Sequence, residues 1–380
     1  MSNVIEIREV KTKRDLHKFV TFPIELYKDN KYFVPPLVGD DKKDFDPKKN
    51  PSYEKCESKS FLAYKDGKLV GRICGLHNVP ADEKFNTKRL RFRHFDAIDD
   101  IEVTKALFKA VWDYGLSLGL DEIEGPNGFT DMDKEGMLIE GFEEMNLFFT
   151  YYNAPYYKEH LESIGLGKQV DWFEYRITIP QEVDERLEKI SKLVLRRGFK
   201  VVKVKNHKEL NPYIQKAFKM YNEAFAPLYG TVELSPELVD NYMGSFLPLL
   251  KLDYISIIED KNGEIAGFAA VVPSLGKASQ ACKGSLFPFG FINLLKALNK
   301  NDTIDMLLIA VKPELQGQGV NALLMLEIQK TCIKYGIKYA ETGPELEVNT
   351  LVRGQWEKYE HILARKRRLF ISRLDELKVD

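Results

Sequence analysis

The segment LLIAVKPELQGQGVNA, residues 307–322, reads as a strand joined to a helix by a glycine loop. Its apolar start indicates a buried strand, and the proline turn after it ends that strand. Beyond the loop, apolar residues return at helical spacing, at Leu324, Ile328, Cys332 and Tyr335. Free backbone N–H groups and the positive end of a helix dipole therefore meet at one point. Such a point suits a phosphate group, so we expect a pyrophosphate on residues 316–322.

Length and composition place the chain among folded proteins with more than one core. It has 380 residues, of which 44% are hydrophobic and 30% charged, with a formal net charge of -1. The length predicts two domains. The balanced charge gives no sign of a nucleic-acid partner. The charged start MSNVIEIREVKTKRD is not a signal peptide, and no apolar run is long enough to span a bilayer. We therefore expect a cytoplasmic protein with no membrane partner.

Cysteine and histidine usage predicts no metal site. The four cysteines have neither metal-ligand nor redox spacing, and the six histidines are scattered. We expect the cysteines to be reduced and mostly buried.

The sequence pattern indicates an internal duplication. Residues 4–10 and 199–205 alternate like strands, and each is followed by a helical pattern. Each half then carries a hairpin, one turning at Asp66-Gly67 and one at Asn262-Gly263. A duplication of this length means two copies of a domain. We predict domains at 1–180 and 199–380, joined by a connecting helix at 181–198, each a mixed α/β sheet with helices on both faces.

At this point the chain resembles the GNAT superfamily of N-acyltransferases. The family's acyl-CoA binding motif is Gln or Arg, two residues, Gly, one residue, then Gly or Ala, directly after a strand and opening a helix. Gln316 and Gly319 fit this motif, and Asn321 departs from it at the last position. The resemblance covers roughly residues 200–374 and extends to 1–180 by layout. It implies two tandem acyl-CoA N-acyltransferase-like domains, each with a splayed sheet flanked by helices.

The resemblance implies a donor, an acceptor and a binding site. Acetyl-CoA or another acyl-CoA would be the donor and a small primary amine the acceptor. The pantetheine arm would enter a gap between the strand at 305–311 and the next parallel strand, near 337–342, where a backbone N–H would polarise the thioester carbonyl. The coenzyme-binding residues that the resemblance implies are Ile309, Ala310, Val311, Gln316, Gly317, Gln318, Gly319, Val320, Asn321, Ala322 and Asn349.

Catalytic roles are implied in the same way. The tyrosine that protonates the leaving thiolate in the family falls at Trp356 here, and Tyr359 lies about one turn further on. Tyr359 is therefore the candidate acid, with a packed aromatic ring as the alternative. Glu341, Glu345 and Glu347 flank the expected gap and are candidate bases, and the alternative for each is a solvated carboxylate at a strand end.

The first half lacks the features of a coenzyme site. Its strand-to-helix junction, residues 91–108, has no glycine and carries Asp96, Asp99 and Asp100. Aspartates suit a helix N-cap and repel a polyanion. We therefore predict that the first domain is degenerate and that the second binds the coenzyme.

Three alternatives for the function stay open. Gly317, Gly319 and Ala322 also match a dinucleotide fingerprint followed by Glu341, which would indicate an NAD(P)-dependent oxidoreductase. Trp356 and Asn321 favour a non-catalytic acyl-CoA binding or sensing protein. Some tandem transferases of similar layout use larger acyl or aminoacyl donors.

Three further segments have alternative readings. The aromatic run at 148–157 is either a substrate-facing wall or a strand edge that feeds the core. The insertion at 284–298 has an apolar face that would cover the acyl site or form an interface, and a homodimer is compatible with it. A membrane-surface helix fits it less well, because Lys296 and Lys300 make a thin basic face. The basic run Arg365–Arg368 predicts a solvated turn leading into the last strand, which we place at Arg368–Leu374.

Overall fold

The computed structural model describes residues 4–379, apart from the side chain of Leu351. Its strands are β1 (Ile5–Glu9), β2 (Cys56–Lys65), β3 (Lys68–Asn78), β4 (Arg89–Ala97), β5 (Glu122–Gly125), β6 (Met137–Glu140), β7 (Gly167–Thr178), β8 (Lys200–Val202), β9 (Ile255–Glu259), β10 (Ile265–Pro273), β11 (Thr303–Val311), β12 (Tyr339–Glu341), β13 (Glu345–Leu346) and β14 (His361–Arg373).

Short 3₁₀ turns and twelve α-helices connect these strands. The helices are α1 (Lys13–Leu26), α2 (Val38–Asp44), α3 (Val79–Phe85), α4 (Ile101–Ser117), α5 (Tyr156–Ser163), α6 (Glu185–Arg196), α7 (His207–Phe225), α8 (Pro236–Phe246), α9 (Gly276–Cys282), α10 (Gly290–Asn299), α11 (Val320–Tyr335) and α12 (Thr350–Arg353). Within residues 4–379, no helix combines the length and apolar character needed to cross a bilayer.

The strands form one mixed sheet. Twelve of them follow the order β1-β2-β3-β4-β5-β14-β7-β12-β11-β10-β9-β8, while β6 pairs with β14 and β13 with β7. Within residues 4–379 the parallel pairs are β4–β5 and β11–β12, and the other neighbours are antiparallel. The predicted mixed α/β sheet is confirmed. The doubly wound parallel sheet that the oxidoreductase alternative requires is not formed by these residues.

The two halves exchange their last strands. β7, the last strand of the first half, lies against β12 of the second half, and β14 lies against β5 of the first. β7 and β14 also pair with each other, from Ile177 opposite His361 to Gly167 opposite Ile371. Neither half therefore completes its sheet alone. The division at 180 and 199 stays a prediction, because the sheet continues through both halves.

Helices on both faces bury the sheet. In the first half, α4 packs Leu107, Phe108 and Val111 into a core with the central strands. In the second half, α11 and α6 cover one face and α7 and α8 the other. The second half therefore has two sides, which we call the α11 face and the α7 face.

Local structure follows several of the sequence signals. The first hairpin turns at Asp66 and Gly67 with φ angles of 51° and 73°, as an Asp-Gly turn requires. The connecting helix α6 lies inside the predicted 181–198. By contrast, the helix expected after Asn349 is only the four residues of α12, so Tyr359 does not lie on it.

The basic run does not form a solvated turn, and that prediction is wrong. It lies inside β14, which begins at His361, and the side chains of Arg365 and Arg367 are fully buried. Both guanidinium groups donate to Glu174, and Arg365 also reaches Glu341 at 2.6 Å. Burial is tolerated because the charges are paired and hydrogen-bonded.

Candidate functional site

The glycine loop ends β11 and begins α11. A 3₁₀ turn at Pro313–Leu315 separates the strand from Gly317 and Gly319, whose φ angles are 72° and 90°. The loop keeps its shape through glycine, because other residues rarely adopt this left-handed backbone. Among the described residues, no acceptor bonds the amides of Gly317, Gly319, Val320, Asn321 and Ala322. These donors stand at the N-terminus of the 16-residue helix α11, as an anion site requires.

The connecting helix α6 packs directly on this loop. A Cβ at Gly319 would come within 2.9 Å of the Cγ2 atoms of both Ile190 and Val194. Just after α6, Arg197 donates to the Gln318 carbonyl at 3.1 Å and to its Oε1 at 2.5 Å. An exposed positive charge is thus held beside the free amides. Sequence analysis missed Arg197, although the pair Arg196-Arg197 before Gly198 was a signal.

Side chains of the motif maintain the loop. Gln316 donates its amide to the Val311 carbonyl at 3.3 Å, which ties the loop to the end of β11. Asn321, the departure from the family motif, donates to Gln355 at 3.1 Å. It links the start of α11 to the segment after α12. Asn349 caps α12 by accepting from the Val352 amide at 3.4 Å, so its side chain serves the fold.

The predicted gap in the sheet is present. β11 and β12 pair only from Thr303 opposite Tyr339 to Asp305 opposite Glu341. The chain then turns away from β11 and joins β7 as β13. The edge of β11 from Met306 onward, which includes Ile309, Ala310 and Val311, has no strand partner on this side among the described residues.

A β-bulge lies where the gap opens. Ala270 of β10 pairs with Leu308 and the next residue, Val271, pairs with Met306, so Leu307 is the extra residue. Bulges are common next to active sites, because they free a backbone group and redirect side chains. Leu307 packs near Val272 and Leu275 on the α7 face, whereas Met306 packs toward α11.

Two of the three candidate carboxylates are held in ion pairs. Glu341 accepts from Arg176 at 2.5 Å and from Arg365 at 2.6 Å. Glu347 accepts from Lys168 at 2.7 Å and from the backbone of Asp171. Both carboxylates are thus engaged with cationic or backbone donors of the chain itself. The structure therefore does not bring Glu341 or Glu347 to the gap as a free carboxylate.

Glu345 has a different environment. It opens β13 on the far side of the gap, and its carboxylate accepts from the Trp356 indole at 2.8 and 3.1 Å. Burial raises the pKa of Glu345 to about 7, and the Trp356 hydrogen bond opposes the shift. A carboxylate with a pKa near the working pH is suited to accept a proton. Of the three candidates, Glu345 is the one that has a raised pKa and an indole rather than a cation as its hydrogen-bond donor.

Trp356 and Tyr359 line a narrow pocket on the α11 face. Its volume is about 20 Å³, and apolar residues of β7, β11 and α11, including Met306, form its other walls. Burial raises the pKa of the Tyr359 hydroxyl. The pocket is about large enough for a single water molecule, so a long acyl chain does not fit there.

Asp305, at the closed end of the gap, was missed by sequence analysis. Its side chain is fully buried, and no donor among the described residues meets hydrogen-bond geometry at either carboxylate oxygen, although the Ser274 hydroxyl and the Leu275 amide lie near enough to oppose the effect of burial on its pKa. Burial raises the pKa of Asp305 to about 7, with neighbouring Glu341 adding to the shift. A single carboxylate inside an apolar strand, TIDMLLIAV, was the available signal.

A larger cavity lies between the halves on the α7 face. Its volume is about 170 Å³, and residues of both halves form its walls: Pro36, Leu37, Asp40, Asp41, Lys43, Asp44, Arg93, His94, Met132, Asp133, Lys134, Phe148, Phe149, Tyr151, Asn241, Tyr242, Ser245, Phe246 and Leu249. A Cβ added at Gly343 would lie 3.6 Å from the ring of Phe149 and 3.4 Å from the carbonyl oxygen of Met306. The cavity therefore adjoins the gap. The aromatic run at 148–157 forms part of its wall.

The polar lining of this cavity contains four aspartates beside the basic side chains of Lys43, Arg93 and Lys134. Asp44 pairs with Arg93, and Asp133 accepts from the Tyr242 hydroxyl at 3.1 Å. Burial raises the pKa of Asp44 to about 6, against the effect of Arg93. One oxygen of Asp41 is buried and has no donor among the described residues. Burial also lowers the pKa of Lys134. The lining suits a cationic or polar ligand.

The equivalent junction in the first half is capped by a carboxylate of the chain itself. Asp100 caps α4 by accepting from the Glu102 amide at 3.0 Å and pairs with Lys65 at 2.6 Å. Asp99 lies 3.2 Å from His160. The donors at this helix start are thus occupied by the chain's own carboxylate, as the aspartates predicted.

Known proteins are similar to this chain along most of its length. No family model matches it. Protein YghO of Escherichia coli (strain K12) is 27% identical over 365 residues, covering 92% of each chain. A bacterial ceramide synthase of Caulobacter vibrioides is 25% identical over 300 residues, covering 77% of this chain and 76% of that protein.

Solved structures are similar in fold at low identity. A tandem GNAT protein from the clavulanic acid biosynthesis pathway superposes with a TM-score of 0.58. The match covers 98% of this chain and 99% of that one, at 10% identity. With the repeated hairpins, the glycine loop and the gap, this similarity assigns the architecture. The chain has the tandem fold of the GNAT N-acyltransferases.

Proposed function

We propose that the protein transfers an acyl group from acyl-CoA to an amine and that the second half binds the coenzyme. The observation that carries this proposal is the row of unbonded amides at the start of α11, beside an open gap in the sheet. The first half offers no such row, because Asp100 occupies its helix start. A coenzyme diphosphate would accept from the unbonded amides of Gly317 and of residues 319–322, and Arg197 would add a positive charge.

The gap positions the reactive end of the donor. From the glycine loop, the pantetheine arm would run along the free edge of β11, where Ile309, Ala310 and Val311 offer backbone groups. The thioester would then reach the bulge at Leu307. A backbone N–H in this region would stabilise the negative charge that develops on the carbonyl oxygen.

The amine would approach from the cavity on the opposite face. Its ammonium form would bind among the aspartates, and Glu345 would accept a proton before attack. The amine nitrogen then bonds to the thioester carbon, the C–S bond breaks, the nitrogen releases its second proton to water, and the thiolate takes a proton. Tyr359 is the predicted source of that proton. The products are an amide and free CoA.

A long-chain amine is the acceptor class that we favour. A relative that aligns over 77% of this chain is named a ceramide synthase, and a ceramide is the amide of a long-chain amine. The cavity has room for a polar head group and a short part of a chain. The rest of an acceptor of this class would extend beyond the cavity.

Calorimetric titration with acetyl-CoA, longer acyl-CoAs and NADH tests the donor site. We expect acyl-CoA binding that Gly319→Trp abolishes and Asp99→Ala leaves intact. The opposite pattern would place the coenzyme in the first half. NADH binding without acyl-CoA binding would refute the proposal.

Mass spectrometry of reactions with short and long amines tests catalysis. We expect N-acylated products, a large loss of turnover in Glu345→Gln, and near-normal turnover in the control Glu347→Gln. Acyl-CoA binding without any product across the amine panel would instead support a binding or sensing protein. Trp356, at the position of the family's acid, is the observation that favours that second candidate.

A further inference from the structure

An exposed apolar surface is formed by the insertion between β10 and β11. The corresponding connection in the first half, residues 79–88, contains only the short helix α3, whereas residues 274–302 form α9, α10 and the loop between them. Five large apolar side chains of this insertion are exposed to solvent: Phe287, Phe289, Phe291, Ile292 and Leu295. We call these five residues the apolar patch.

The exposure of the apolar patch is unusual for a folded chain. Phe287 is 82% exposed and Phe289 72%. The other side of α10 is also apolar, because Leu294 and Leu298 are buried in the fold. A helix that is apolar on both sides needs a second covering partner.

The charged side chains of the insertion itself have one sign. Lys277, Lys283, Lys296 and Lys300 are all exposed, and no Asp or Glu occurs from residue 265 to residue 301. This is notable in a chain whose net charge is only -1. Exposed lysines beside exposed phenylalanines complement anionic lipid head groups above an apolar layer.

The same charge argues against a second copy as the covering partner. A two-fold dimer through this surface would place identical patches face to face. The lysines of one copy would then lie close to those of the other, without intervening carboxylates from the insertion. An anionic lipid surface has no such conflict.

The apolar patch lies beside the cavity. The buried side of the insertion, through Ala278 and Leu294, packs in one cluster with Leu37, and Phe148 and Leu249 pack against that cluster. Leu37, Phe148 and Leu249 are also walls of the cavity. The patch and the cavity are therefore separated by about the thickness of one helix, roughly 10 Å.

We propose that residues 283–300 dock the protein on an anionic membrane surface, with the apolar patch inserted among the lipids. Docking would place the cavity next to the bilayer, where a long-chain amine could enter it while its chain stays in lipid. The identity of the delivered molecule rests on the proposed function, but the docking surface does not. This proposal departs from the sequence-based expectation of no membrane partner, which counted two lysines and not four.

Vesicle co-sedimentation tests the docking surface without any substrate. Phosphatidylcholine vesicles that contain phosphatidylglycerol are compared with pure phosphatidylcholine vesicles. We expect the wild-type chain to pellet with the anionic vesicles, and Phe287→Ser/Phe289→Ser to bind at least about 10-fold more weakly. The control Val4→Ser/Leu116→Ser removes apolar groups exposed elsewhere and should pellet like wild type.

A charge variant and a mass measurement complete the test. Lys283→Glu/Lys296→Glu/Lys300→Glu should lose the preference for anionic vesicles while circular dichroism and acyl-CoA binding stay unchanged. The proposal fails if the wild-type chain stays in the supernatant at low salt, or if the phenylalanine variant pellets as wild type does. It also fails if light scattering finds a dimer that Phe287→Ser/Phe289→Ser separates and vesicles do not bind, because the patch is then a subunit interface. Because no acyl-CoA is needed, a failure here is distinct from a failure of acyl transfer.

Discussion

Replacing Gly319 with alanine tests how the connecting helix holds the coenzyme loop. The φ angle of Gly319 is 90°, and a Cβ there would lie 2.9 Å from Ile190 and 2.9 Å from Val194. Left-handed backbone costs an alanine about 1–2 kcal/mol. Overpacking against two side chains adds about 1–3 kcal/mol. We therefore expect Gly319→Ala to lower the free energy of unfolding by about 2–5 kcal/mol.

Gly317→Ala is the matched control for this experiment. Its φ angle is 72°, but a Cβ there would have no neighbour within 4 Å. Gly317→Ala should therefore lower the free energy of unfolding only by the cost of a left-handed backbone at alanine, about 1–2 kcal/mol. Val194→Ala in the Gly319→Ala background removes one of the two clashing methyl groups and should recover part of the difference.

Urea unfolding and calorimetric titration with CoA provide the two readouts. Because the loop must move by a few tenths of an ångström to admit the Cβ, its amides lose their alignment. We expect Gly319→Ala to weaken CoA binding at least about 10-fold, equivalent to about 1.4 kcal/mol. Equal loss of stability in Gly319→Ala and Gly317→Ala would refute the packing argument. Unchanged CoA affinity in Gly319→Ala would refute the assignment of the loop.

Three further predictions concern buried charge. Asp305 binds its proton more tightly in the folded chain, with a pKa of about 7, so its ionisation lowers stability as pH rises from about 4 to 7. The free energy of unfolding of Asp305→Asn, measured with urea, should therefore equal that of wild type near pH 4 and exceed it by up to about 4 kcal/mol at pH 8. The exposed control Asp29→Asn should show no such difference from wild type. If Glu345 is the base, the kcat/KM of the wild type should fall as pH drops below about 7. Glu345→Gln should be about 10²–10⁴-fold slower and should no longer show this fall at low pH. A pH dependence of kcat/KM that is unchanged in Glu345→Gln would exclude the role of base. Arg365→Met should cost about 3–5 kcal/mol in thermal unfolding, because it leaves two buried carboxylates with one fewer partner. The exposed control Arg373→Met should cost far less, and similar losses in the two variants would contradict the burial argument.

Local signals in the sequence predicted local structure well. The Asp66-Gly67 turn and the glycines at 317 and 319 each require a backbone conformation that few other residues adopt, so the residue type indicates the geometry. The gap beside β11 followed from the family resemblance, and the structure has it. The bulge at Leu307, which marks the centre of that gap, has no residue signature and was not predicted.

Features that depend on distant pairing were not predictable in this way. Arg365 and Arg367 read as solvated because their partner Glu174 is far away in sequence and faces them only across the β7–β14 pair. The cavity has the same origin, since α2 and α8 contribute walls from opposite halves. The base candidates Glu341, Glu345 and Glu347 looked equivalent in sequence. Their neighbours in the fold separate them, because guanidinium and ammonium groups hold two and an indole contacts the third.

The exchange of β7 and β14 affects the order in which the chain can fold during synthesis. The edge of β5 stays unpaired until residues 370–373 have left the ribosome, almost 250 positions later. A nascent first half therefore carries an open sheet edge for most of translation, which is a template for unwanted pairing. Recombining halves from different relatives would meet the same obstacle, since each half carries the strand that completes the other. Each half therefore depends on the other for a complete sheet, although the glycine loop lies in the second half.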